Sequence, residues 1–140
     1  MSEAATIVDW AKFQTMRFEL GANFVRILSY FREDGEKSVA IIEDAMHRQD
    51  AAAIVLPAHT MKAEARQFGA EPLADLAEQI EFACRRALES HLFPDDILPD
   101  VAKLRPLYLQ TMTLLEEETN PLAQRRAFGK KASNQEFGRL

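Results

Sequence analysis

The sequence predicts an all-α protein: an antiparallel up-down four-helix bundle with an extra short N-terminal helix and a flexible basic C-terminal tail. Three observations carry this. Apolar residues recur at steps of three and four along most of the chain, the period of an amphipathic helix. Five Gly and six Pro among 140 residues are too few for a turn-rich all-β chain. With 47% hydrophobic and 28% charged residues, the chain can bury one core but not two, which excludes a multidomain enzyme. Residues 1–120 are expected to form the bundle domain and residues 121–140 the tail.

The elements follow in order. Asp9 is a plausible N-cap for a short helix whose apolar side is Trp10, Phe13, Met16 or Arg17, and Leu20, placed as a lid on the end of the bundle. Phe24, Ile27, Leu28, Phe31, Val39, Ile42 and Met46 define one long helix over about 22–48, with Gly35 a weak point inside it. Asp50 caps a third helix with the seam Ile54, Ala58, Met61, Ala65 and Phe68, and Gly69 ends it as a C′ residue. Pro72 opens a fourth, with Leu73, Leu76, Ala77, Ile80, Ala83, Cys84 and Ala87 on one side. The stretch HLFPDDILPD, residues 91–100, reads as a Pro-containing turn. A fifth helix then carries Val101, Leu104, Leu107, Tyr108, Thr111, Leu114 and Leu115, and is expected to fray in Glu116, Glu117 and Glu118, acids at the negative end of the helix dipole. Pro57 and Pro106 fall inside helical patterns, where each either bends the axis or marks a helix start.

Charge and cysteine content narrow the function classes. The chain carries −5 overall, but residues 121–140 are +4 and the body −9. An acidic body argues against a nucleic-acid-binding surface, because phosphate recognition needs clustered Lys and Arg. The single Cys84 cannot form an internal disulfide or a metal or redox pair, and its place on an apolar side makes it a small core residue. No basic leader precedes an apolar stretch at the N-terminus, and the longest apolar run, 51–58, is too short to cross a bilayer. These features predict a soluble cytoplasmic protein with no membrane partner.

One stripe stands out. His59, Lys62, Ala63 and Arg66 are spaced i, i+3, i+4 and i+7, so they share a side of the third helix that is not its core seam. An imidazole lies one turn from an ammonium and two turns from a guanidinium, although carboxylates dominate the chain. By itself this is also the pattern of an ordinary solvated His, the reading that suits His47 near a helix C-terminus and His91 in a turn.

The surrounding string distinguishes His59. Pro57-Ala58-His59-Thr60-Met61-Lys62-Ala63-Glu64-Ala65-Arg66-Gln67-Phe68-Gly69-Ala70, continuing through Leu73, Leu76 and Ala77-Glu78-Gln79-Ile80-Glu81, resembles the signature of histidine-containing phosphotransfer (HPt) domains. The likeness is specific over about 45–84 and compatible in helix pattern over about 20–118. It implies a phosphorelay intermediate that accepts a phosphoryl group on His59 from a receiver-domain aspartyl phosphate and passes it to another receiver. The alternative is a non-phosphorylated helical adaptor that binds receiver domains or other signalling proteins. The resemblance also implies roles: His59 as phosphorylated nucleophile, Lys62 and Arg66 as charges that attract phosphoryl oxygens, Glu81 as the orienter of the His ring, and Thr60, Ala63 and Arg66 at the partner-facing surface.

The chemistry is consistent with those roles. A histidine with the ordinary pKa of ~6.5 is mostly neutral at cytosolic pH and can attack phosphorus. A carboxylate accepting from Nδ1–H selects the tautomer whose lone pair is on Nε2. The sequence has no nucleotide-binding Gly loop and no evident magnesium site, so the expectation is a carrier, not an enzyme, with no cofactor of its own. Mg²⁺ is expected on the partner receiver domain. Expected partners are response-regulator receiver domains and a sensor histidine kinase, hybrid or not, with the chain itself a monomer or weak dimer. Two departures bear on partner choice: Ala63 where the family often has Gly, and Glu64 and Arg66 where small residues are usual. Pro57 would deprive the Ala53 carbonyl of its helical partner in the segment that presents His59.

Overall fold

The computed structural model describes residues 7–119; the expected basic tail, 121–140, lies outside them. Five helices follow one another: α1 (Trp10–Leu20), α2 (Phe24–His47), α3 (Ala51–Gln67), α4 (Glu71–Glu89) and α5 (Leu98–Thr119). Short 3₁₀ turns at Gly21–Asn23 and Asp95–Ile97 lead into α2 and α5, and no strand occurs among the described residues. Contacts between α2 and α3, α3 and α4, α4 and α5, and α5 and α2 close a ring of four long helices around one core.

The short connections dictate the up-down order. Two residues beyond the ends of α2, α3 and α4 stand residues with positive φ, Gln49 (57°), Gly69 (82°) and His91 (58°). In each case the next amide reaches back to a carbonyl five residues earlier: Asp50 N–H to Ala45, Ala70 N–H to Ala65 and Leu92 N–H to Ala87. This C-terminal motif satisfies carbonyls that the helix leaves over and turns the chain sharply. Gly69 has a second reason to be glycine, because a Cβ there would sit 2.7 Å from the carbonyl oxygen of Asp9. Asp9 N–H donates to Gly69 O (2.8 Å), while its side chain accepts from Lys12 N–H, so α1 is capped and docked on the α3–α4 turn by one residue. Asp50 likewise caps α3 by accepting from Ala53 N–H.

Aromatic rings fill the end of the bundle under α1. Phe13 meets Trp10 and Phe24 edge-on, Phe24 meets Phe68 edge-on, and Phe68 stacks on Phe31, which meets Tyr108 edge-on. Truncating one such buried Phe to Ala costs about 3–5 kcal/mol. Ile7 and Val8, which precede the first helix, are buried in the same core.

Several expectations need correction. Gly35 is not a weak point: the Tyr108 ring lies on it, and a Cβ would come within 2.3 Å of the ring carbon Cε1. The Tyr108 hydroxyl donates to Arg32 O at 2.6 Å, which fixes the ring in that hollow. Helix α5 starts at Leu98, so Leu98, Pro99 and Asp100 belong to its first turn rather than to a loop. Proline suits that position because its missing N–H has no partner there in any case. The end of α5 remains helical through Thr119, where Glu116 pairs with Arg32 (2.6 Å), offsetting the dipole penalty on its acids. Pro57 and Pro106 lie inside α3 and α5 and start neither helix. Cys84 is fully buried, and burial raises its thiol to about 11.

Candidate functional site

Helix α3 buries Ile54, Ala58, Met61 and Ala65, so the residue after Ala58 emerges beside the seam. The His59 side chain is half exposed. Thr60 is partly covered and Ala63, one turn on, is exposed. On the neighbouring helix, Glu81 follows Ile80 in the buried face of α4 and is only 3% exposed. Its carboxylate reaches across to α3.

Glu81 is the hub of the site. Oε2 lies 3.0 Å from His59 Nδ1 and also accepts from Arg85 Nε at 2.9 Å. Lys62 Nζ holds Oε1 by charge at 2.9 Å, without hydrogen-bond alignment. Burial would raise the Glu81 carboxyl, but its contacts with Lys62, Arg85 and His59 outweigh that and lower it to about 2. The carboxylate is therefore ionised at any physiological pH. Lys62 is mostly covered and lies 6.0 Å from the centre of the Phe82 ring, a cation–π contact that helps immobilise its ammonium.

A permanently ionised acceptor at Nδ1 makes that nitrogen the donor, so Nδ1 carries the proton of the neutral ring. Nε2 then holds the lone pair on a ring open to solvent. The arrangement holds a half-exposed imidazole and an ammonium on the two oxygens of one buried carboxylate.

The expected stripe is only partly assembled. Arg66 does not join the imidazole. Its guanidinium binds Glu71 (2.9 Å), Asp75 (3.3 Å) and Glu78 (3.0 Å) along the first turns of α4. Glu71 also pairs with Lys12, so Arg66 ties α3, α4 and α1 together. The second cation at the hub is Arg85 instead. Its spacing of four residues from Glu81 on α4 was visible in the sequence, but the importance of the pair depends on Glu81 being buried.

The Hpt domain family model matches residues 26–120, which contain His59, Lys62, Glu81 and Arg85. The chain belongs to the Hpt family. Its fold is also that of histidine-containing phosphotransfer protein B from Pseudomonas aeruginosa, whose crystal structure superposes with a TM-score of 0.71 at 19% identity, covering 86% of this chain and 97% of that one. Among curated proteins, none matches the chain closely enough to count as a relative. Family membership brings a general role in histidine phosphotransfer, as a phosphocarrier and not an enzyme. The family works with receiver domains and histidine kinases in phosphorelays. Among the described helices of this Hpt protein, none is long and apolar enough to cross a membrane.

Proposed function

We propose that this Hpt protein is a phosphorelay intermediate in which His59 Nε2 takes a phosphoryl group from a receiver-domain aspartyl phosphate and hands it to another receiver. The observation that carries this is the half-exposed imidazole whose Nδ1 faces a buried, ionised Glu81. In the forward step the Nε2 lone pair forms a bond to phosphorus as the aspartyl oxygen–phosphorus bond breaks, and the aspartate leaves as a carboxylate. Nδ1 keeps its proton, so the phosphorylated ring is cationic. Glu81, 3.0 Å away, is its counter-charge. Lys62 supplies positive charge toward the phosphoryl oxygens, and Thr60 and the small exposed Ala63 leave room for a partner to approach the ring. Mg²⁺ belongs to the receiver, where it neutralises the donor phosphate.

Transfer of labelled phosphate from a phosphorylated receiver tests the reading. His59→Gln should abolish labelling while far-UV circular dichroism stays unchanged, since the side chain is half exposed. Lys62→Ala should slow transfer about ten- to hundredfold, corresponding to a charge-assisted contact of about 1.5–3 kcal/mol. Glu81→Ala should slow it less, because that residue orients the ring and holds Lys62 without itself supplying the nucleophile or a positive charge. The label should be lost in acid and persist in base. Full labelling of His59→Gln, or an acid-stable label, overturns the assignment; a chain that binds receivers but takes no phosphate would be the adaptor.

A further inference from the structure

The charge balance at Glu81 points to a role for a residue outside the stripe read from the sequence. One buried carboxylate faces two full cations and an imidazole. Lys62 takes Oε1, so the question is what else, besides the ring, satisfies Oε2. Arg85 does, from one turn further along α4, with about half of its side chain in solvent.

We propose that Arg85 is a positioning residue for His59: by sharing Oε2 with Nδ1, it lets Glu81 orient the ring without drawing a second proton onto it. The proposal rests on the phosphotransfer reading above. A buried carboxylate favours any cation that can reach it, and an imidazole at hydrogen-bond distance is such a group once protonated. An imidazolium has no lone pair at Nε2 and cannot attack phosphorus. With Arg85 in place, the carboxylate has a permanent cation on the same oxygen that accepts from Nδ1, and the neutral ring suffices. Without it, Oε2 serves the ring alone, and the protonated ring is stabilised at the expense of the nucleophile.

The other charged groups around α3 do not substitute. Arg66 is committed to Glu71, Asp75 and Glu78. Lys62 is on the other carboxylate oxygen. Asp34 and Glu64 form a pair at the contact of α2 with α3 and bring no positive charge. The groups that set the ring's protonation are therefore Glu81 directly, and Lys62 and Arg85 through it.

Imidazole nitrogen NMR on the full chain, with ¹⁵N-labelled histidine, reads the ring without any partner. Far-UV circular dichroism checks folding, and Arg85→Met is a second charge-removing variant in case Arg85→Gln folds poorly. In the native protein the neutral ring should show the Nδ1–H tautomer. In Arg85→Gln the imidazolium signature should persist to higher pH. Phosphoryl acceptance should be about threefold slower at pH 7 and recover in alkaline buffer, because a smaller fraction of the rings then carries the Nε2 lone pair. Arg85→Lys, which keeps the charge, should restore the native profile. A tautomer signature and pH profile unchanged in Arg85→Gln and Arg85→Met, or displaced as far in Arg85→Lys, overturns the proposal. If the ring responds as expected but no receiver ever labels the native chain, the phosphotransfer reading fails and the positioning role stands.

Discussion

Glu81 and Glu64 flank the same helix, one facing it from α4 and the other carried on its α2 side. Glu81 is almost entirely buried, yet its carboxyl is lowered to about 2 because Lys62, Arg85 and His59 surround it. Glu64 is partly exposed as a residue, and its carboxyl is raised to about 7 by burial first and then by Asp34. Its Oε1 is sealed from solvent with no donor among the described residues. Burial raises both carboxyls, and the cations and imidazole around Glu81 reverse that effect there. The donor-rich flank holds the His59 ring, and the donor-poor flank raises the carboxyl of Glu64.

Removing the hub should have the largest effect on the fold. Glu81→Ala leaves Lys62, mostly covered, without its counter-charge, and chemical denaturation at pH 7 should show a loss of about 2–3 kcal/mol. A loss under about 0.5 kcal/mol would mean that Lys62 and Arg85 simply turn to water, and the contrast with Glu64 would lose its energetic meaning.

The opposite flank should give the opposite sign. The folded Glu64 carboxyl titrates at about 7 against an ordinary 4.5, so between those values the unfolded chain releases a proton that the folded chain keeps. Stability contributed by this group is full below about pH 4.5 and falls as pH rises toward 7. Glu64→Gln should thus be more stable than the native chain at pH 8, by on the order of 1–3 kcal/mol, and nearly equal to it at pH 5. Glu81 produces the mirror image: its contribution is present above about pH 4.5 and is lost as pH falls toward 2. Denaturation midpoints across pH 3–8 for the native chain and Glu64→Gln separate the two, and identical curves would remove Glu64 from the account.

The smallest effect is expected from the tail. Deleting residues 121–140 should leave helicity and phosphoryl acceptance nearly unchanged, since that segment has no periodic apolar face. Loss of folding on truncation would show that both flanks depend on more than the bundle.

What could be read without coordinates was local. Helix positions follow from three-four spacing, the caps Asp9 and Asp50 from short polar side chains ahead of apolar periods, the end of α3 from Gly69, and the burial of Cys84 from its side of α4. The candidate nucleophile was legible because His59, Lys62 and the GA and Glu81 positions sit at family spacing. What required the folded chain depends on contacts between distant residues. Gly35 matters only because Tyr108 arrives on it from α5. The spacing of Arg66 and Arg85 is plain, but a long flexible arm can lean to either side of its helix, and it is Glu71, Asp75 and Glu78 that draw the first away and Glu81 that holds the second. Glu64 and Asp34 are thirty positions apart, and only the packing of α2 on α3 brings them together. Helix formation and capping involve neighbours within about four residues and so leave a pattern in the chain. The protonation and pairing of side chains depend on whichever charges the fold brings within a few ångströms, and that proximity exists only once the helices have packed.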